Sequence, residues 1–228
     1  MMSSVKNAFE YAAELIFPPR CVLCGKIRRI GSRFCERCAA DADELRLVGD
    51  ERDCDDGERI YTHIDGVCAS FEYSGAAADA VAQLKFHGAS YLAREMARFI
   101  AADVENFFCT VDFDIAVAVP SYRRKNRHAD ILAKSTASLL GLRFLQNEIV
   151  KTRRTEKQHS LDAERRKTNL IGAFSVKKPE AVAGRVVLII DDVTTGGSTL
   201  NECAAALKAA GAREVYGAVF CATPKLYA

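Results

Sequence analysis

The stretch VLIIDDVTTGGST, Val187 to Thr199, constrains this chain more than any other part of it. Four apolar residues run into two adjacent carboxylates, and a turn rich in glycine and hydroxyls follows at once. A short continuous apolar run bounded by turn residues reads as a fully buried strand, and such strands belong to parallel sheets covered by helices on both faces. Ser198 to Ala210 then has helical character and Gly211 is a natural stop, so the unit is strand, turn, helix. In a parallel sheet, ligands sit off the carboxyl ends of the strands, which is where Asp191 and Asp192 fall.

Successive strand residues point to opposite faces, so one acid can meet a ligand while its neighbours fix the other. Paired carboxylates suit sugar hydroxyls or a divalent cation. Thr194, Thr195, Gly196, Gly197, Ser198 and Thr199 offer hydroxyls, backbone amides and a helix N-terminus, a combination that holds phosphate. No lysine follows the glycines as in a P-loop, and the spacing is not that of a dinucleotide turn. Thr199 and Glu202 also have the spacing of a capping box, which reads the same residues as an ordinary helix start.

The alternation of strands and helices from about residue 110 onward supports the same sheet. GVCASFEY from Gly66 alternates like a strand, and AAADAVAQLKF and ASYLAREMARFIAADVENF read as helices separated by His87-Gly88. DFDIAVAVP is a second buried strand, and Asp130 to Leu140 is a helix. Gln146 to Lys151 and Gly172 to Val176 are weaker strand candidates. Val5 to Ile16 has helical spacing and stops at Pro18-Pro19. The expected organisation is an N-terminal helix and cysteine module over 1–48, an acidic linker over 49–65 and an α/β domain over 66–228.

The net charge of +2 conceals segregation. Asp41 to Glu58 carries nine acids against two bases, whereas Tyr122 to Leu170 carries thirteen Lys or Arg against five acids. No apolar run approaches the roughly 18 residues needed to span a bilayer, and the start lacks a secretory pattern, so a cytoplasmic protein without membrane insertion is expected. Nine cysteines without a signal peptide argue for buried or metal-binding thiols over a disulfide framework.

Cys21-x2-Cys24 and Cys35-x2-Cys38 form two pairs separated by ten residues, each spaced to chelate from one turn. Four thiolates in tetrahedral geometry describe a closed structural zinc site; an iron–sulfur cluster is the alternative. Cys54, Cys68, Cys109, Cys203 and Cys221 lie singly and read as small core residues. At the tip of the second buried strand, Ser121, Tyr122, Arg123 and Arg124 can neutralise an anion through guanidinium forks. Lys85 in LKFHG is a further anion-contact candidate. His128 and His159 are acid–base candidates by residue type alone.

VLIIDDVTTGGST resembles the signature of the type I phosphoribosyltransferases. The resemblance implies that Asp191 and Asp192 contact ribose hydroxyls of phosphoribosyl pyrophosphate, that Thr195 to Thr199 hold the 5-phosphate, and that Mg²⁺ accompanies the pyrophosphate. It implies pyrophosphate contacts for the loop after Pro120. It also implies a lid in KTRRTEKQHSLDAERRKTNLIGAF, where Arg153, Arg154, Gln158, Arg165 and Asn169 stand out. Thr195 replaces an aspartate that works on the base in several purine-salvage members, which argues against that reaction.

FPPRCVLCGK, FCERCAAD, LKFHG, VPSYRRK and DDVTTGGSTLNECAAALKAAGAREV together resemble the ComF family of competence-associated phosphoribosyltransferase-like proteins over nearly the full chain. That resemblance implies a type I phosphoribosyltransferase fold, a mostly parallel sheet with flanking helices, plus a small N-terminal four-cysteine zinc module. It also implies a link to natural transformation, with single-stranded DNA and DNA-uptake or helicase proteins as partners. Where that family has a Gly-Phe-Asn-Gln run, this chain has Lys125, Asn126, Arg127 and His128. An active Mg²⁺-dependent phosphoribosyltransferase with an unidentified base or amine acceptor is the competing expectation. The basic tract suits pyrophosphate and a DNA backbone equally.

Overall fold

The computed structural model describes residues 18–47, 62–86, 90–120, 128–152, 170 and 172–223. Within them the elements run α1 (Glu36–Leu45), β1 (Gly66–Glu72), α2 (Gly75–Phe86), α3 (Ser90–Phe107), β2 (Ile115–Ala118), α4 (His128–Leu139), β3 (Arg143–Leu145), β4 (Ile149–Lys151), β5 (Phe174–Val176), α5 (Pro179–Val182), β6 (Val186–Thr194), α6 (Ser198–Ala209) and β7 (Glu214–Ala222). Five strands form one sheet in the order β1-β7-β6-β2-β3, and every pairing in it is parallel. The doubly covered α/β sheet expected from the apolar strands is therefore present.

Two details differ from the sequence reading. The weak strands β4 and β5 do not join the main sheet; they pair antiparallel with each other, Val150 opposite Ser175. The three-residue edge strand β3, which pairs with β2, had no sequence signal: RFL is too short to show a period. The expected N-terminal helix Val5 to Ile16, most of the acidic linker and His87-Gly88 lie outside the described residues.

The strand period divides the core in two. Leu188 and Ile190 of β6 face Ala116, Ala118, Phe220 and the helices α2, α3 and α4. Val187 and Ile189 face the opposite way, onto Ile115, Val117, Val219 and the α6 residues Leu200, Cys203 and Leu207. Cys68, Cys203 and Cys221 are buried core residues, as their isolation in the sequence suggests; Cys109 is exposed.

The cysteine module is packed into the first of these cores. Cys21, Val22, Leu23, Cys38 and Ala42 share a cluster with Phe71 of β1, Leu84 of α2 and Leu92, Met96 and Phe99 of α3. Two ion pairs fasten it: Arg28 Nη2 to Glu95 Oε2 at 3.1 Å, and Arg46 to both oxygens of buried Asp103, at 3.2 and 2.5 Å. Ser70 Oγ donates to the same carboxylate at 2.6 Å, so Asp103 is a fully satisfied buried anion. Gly25 permits a close approach here: it adopts φ +70, and a Cβ would lie 2.8 Å from Tyr91 Oη and 3.3 Å from Gln83 Oε1.

Candidate functional site

The strand period carries into the acid pair. Asp191 follows Val187 and Ile189 toward the α6 side, and Asp192 follows Leu188 and Ile190 toward α2. Asp192 is buried, and its Oδ1 lies 2.8 Å from Lys85 Nζ. Asp191 is half-buried, accepts the Asp192 backbone N–H at 2.9 Å and lines a crevice with Val193, Thr194 and the turn that follows. One acid is thus held internally while the other opens to a ligand.

Burial first, and then the Asp192 charge, push the Asp191 carboxyl up to about 8, against the opposing pull of Lys85 and the Asp192 amide. Burial works against the Lys85 ammonium, but the Asp192 carboxylate and then Asp191 outweigh it and raise its pKa. Burial also raises the thiols of Cys203 and Cys221, helped by Asp191 and Asp192 respectively. These two cysteines stay protonated next to the acids.

The turn presents backbone donors to the crevice. Gly197 adopts φ 68, ψ −19 as the residue before α6, which begins at Ser198. The N–H groups of Gly196, Gly197 and Ser198 donate to no acceptor among the described residues. They meet the positive end of a twelve-residue helix. Thr223 steadies the turn from β7, its N–H donating to Thr194 O at 3.2 Å and its Oγ1 to Thr195 O at 2.9 Å. Thr199 stands inside the first turn of α6, so the capping-box reading of Thr199 and Glu202 is corrected. Glu202 instead accepts the Gly172 N–H at 3.1 Å, because the left-handed Gly197 has already capped the helix two residues before Thr199.

The structure therefore brings Asp191, Thr194, Thr195, Gly196, Gly197, Ser198 and Thr199 to one crevice, with Asp192 and Lys85 immediately behind. Ser121, Tyr122, Arg123, Arg124, Arg153, Arg154, Gln158, His159, Arg165 and Asn169 lie outside the described residues, as do Lys125, Asn126 and Arg127. His128 opens α4. Thr223 went unnoticed in the sequence, since nothing about a lone threonine past a strand marks it.

The four cysteine sulfurs Cys21, Cys24, Cys35 and Cys38 lie within 4.8 Å of one another, and Cys24 Sγ to Cys35 Sγ is 3.6 Å. Tetrahedral Zn–S bonds of ~2.3 Å put sulfurs about 3.8 Å apart, so the donor set fits zinc. Burial raises the Cys24 and Cys38 thiols. For Cys35, burial is outweighed by hydrogen bonding from the Cys38 backbone and the neighbouring thiols, which brings it down to about 7.

Residues 89–228 match the phosphoribosyl transferase domain family. The chain belongs to that family. In this phosphoribosyl transferase-family protein, residues 12–55 match the double zinc ribbon domain, which with the sulfur cluster identifies the four cysteines as a structural zinc site. It is 29% identical over 213 residues to the DNA utilization protein YhgH of Escherichia coli, covering 89% of this chain and 90% of that protein. The YhgH of Salmonella typhi is 34% identical over 151 residues, 63% of this chain and 66% of that one. Competence protein F of Haemophilus influenzae is 33% identical over 145 residues, 59% and 63% respectively. The ComF resemblance of the sequence is thereby borne out. Among the described residues, no helix is long and apolar enough to cross a membrane.

Proposed function

We propose that this ComF-type protein binds phosphoribosyl pyrophosphate in the crevice after β6 and works in DNA uptake, on single-stranded DNA in the cytoplasm with uptake or helicase proteins. The observation that carries the ligand assignment is the division of the acid pair. Asp191 opens to the crevice beside a turn whose Gly196 to Ser198 amides donate to no acceptor among the described residues, while Asp192 is locked to Lys85. A sugar carrying a 5-phosphate matches that layout: hydroxyls on the acid and phosphate on Gly196 to Thr199. Mg²⁺ would accompany the pyrophosphate and balance its charge next to Asp191.

The names of the relatives, DNA utilization protein and Competence protein F, support the uptake role over nucleotide salvage. Thr195 supports it too, because the turn holds no carboxylate able to serve an acceptor base. Ser121, Tyr122, Arg123, Arg124 and Arg153 are proposed to hold the pyrophosphate or the nucleic-acid backbone, both of which reward guanidinium groups. The organisation proposed is a zinc module over 1–48, a connecting segment over 49–65 and the phosphoribosyltransferase-like domain over 66–228.

Calorimetric titration of phosphoribosyl pyrophosphate with Mg²⁺ tests the assignment. Asp191→Asn combined with Asp192→Asn should abolish binding in a folded protein, and unchanged affinity would sink it. Pyrophosphate release against a panel of bases and amines, run beside a salt titration of single-stranded DNA binding, separates the roles. A steep salt dependence without turnover is the expected result.

A further inference from the structure

Between the tip of the zinc module and α3 lies a cavity of about 250 Å³ that the crevice after β6 does not use. Arg28, Gly31 and Arg33 wall it on the module side, and Glu95, Arg98 and Phe99 on the helix side. The helix residues fall at i, i+3 and i+4, so they share one face toward the module. Their charges are unevenly matched. Arg28 is buried, and its guanidinium is spent on Glu95, on the carbonyls of Arg20 and Arg29, and on that of Ser32. Glu95 is therefore neutralised, while exposed Arg33 and Arg98 form no ion pair among the described residues, leaving the cavity with an excess of positive charge.

Arg33 is also positioned in advance, its guanidinium stacked 5.6 Å from the centre of the buried Phe99 ring. That ring is wedged against Phe34 and Phe71, so the stacking platform is rigid. A guanidinium held on a ring keeps its donor fork free for an anion. We propose that this cavity is a second anion site, taking the phosphate group of a phosphate ester.

Donors approach from two opposing elements, a turn and a helix. A tetrahedral phosphate presents three oxygens spread in three dimensions and can accept from both guanidinium forks at once. The volume lies below the ~300 Å³ at which sites for drug-sized ligands begin, and it has room for a phosphate and the sugar carrying it. That unit occurs in a free nucleotide and in a single-stranded polynucleotide alike.

The test uses the full-length zinc-loaded protein with two probes, thymidine 5′-monophosphate and a short single-stranded oligothymidylate, each titrated into the wild type and the variants by calorimetry so that separate binding steps are resolved. Arg33→Ala with Arg98→Ala should weaken at least one probe by about tenfold or more, since a charge-assisted phosphate contact is lost twice. Arg98→Glu should do so alone. Zinc content and unfolding midpoint confirm that both variants fold. Loss for both probes identifies a free phosphate ester as sufficient; loss for the oligothymidylate alone identifies the strand as the source. Wild-type affinity for both probes in folded variants, or no affinity for either probe in the wild type, overturns the proposal. A probe that also enters the crevice after β6 does so equally in wild type and variants, because Arg33 and Arg98 do not line that crevice, so failure here is distinct from failure of the phosphoribosyl pyrophosphate assignment.

Discussion

Lys85 Nζ of α2 lies 2.8 Å from Asp192 Oδ1 at the tip of β6, and this contact sets what the acid pair can do. Lys85 consumes one of the two carboxylates, so a ligand meets only Asp191 directly. Replacing Lys85 by Met keeps the side-chain length and leaves a buried carboxylate without its cation. The expected loss is about 2 kcal/mol, below the ~3–5 for a fully buried pair because Lys85 is partly exposed. Urea unfolding of Lys85→Met against wild type measures it.

Asp191 should release a proton when ligand binds. In the free protein its carboxyl titrates near 8, so it is largely protonated at neutrality. Ribose hydroxyls and Mg²⁺ both favour the ionised form. Affinity should therefore rise with pH up to about 8 and level off, and the apparent binding enthalpy should vary with the ionisation enthalpy of the buffer. The stability contribution has the opposite sign to that of a salt-bridged acid. It is fully present below the ordinary carboxylate value of 3.8 and is lost as pH climbs through 8. Asp191→Asn should remove both effects.

Metal removal should unfold more than the module. Val22, Leu23 and Cys38 share a core with Leu84, Leu92 and Met96, so stripping the ion loosens α2 and α3 as well. Metal analysis should give about one zinc per chain from the four sulfurs. Calorimetric melts with and without chelator should show a single transition moving down as a whole; an unshifted main transition would count against a shared core.

Asp103 belongs to one of the two ion pairs that fasten the module, and a variant can test it. Asp103→Ala leaves Arg46 charged and Ser70 Oγ without its acceptor, so a loss of about 3 kcal/mol is expected. Asp103→Asn keeps an acceptor for Ser70 and should cost less. Comparing the two unfolding free energies separates the charge from the hydrogen bond.

Much of the architecture was legible because its cause is local. The apolar run through Ile190 specifies a buried strand, and the period of two then assigns Asp191 and Asp192 to opposite faces without any structure. The four cysteines announce themselves by spacing. What the sequence hid depends on contacts between distant segments. The Lys85 to Asp192 pair spans 107 positions, the Arg46 to Asp103 pair 57 and the Glu202 to Gly172 bond 30. Glu202 is the instructive case. Its spacing from Thr199 satisfied a local motif, but a left-handed Gly197 began the helix earlier and freed the carboxylate for a partner from the β5 side.

The seating of Gly25 against the side-chain ends of Tyr91 and Gln83, together with the shared core behind it, has a consequence for how such proteins can be recombined. A cysteine module attached by a tether could be exchanged between relatives as a cassette. This one is seated on particular residues of α2 and α3, so exchange would have to carry them along. The unit that must travel together is the pair of matching faces, and a chimera joined anywhere between residues 47 and 66 would inherit only one of them.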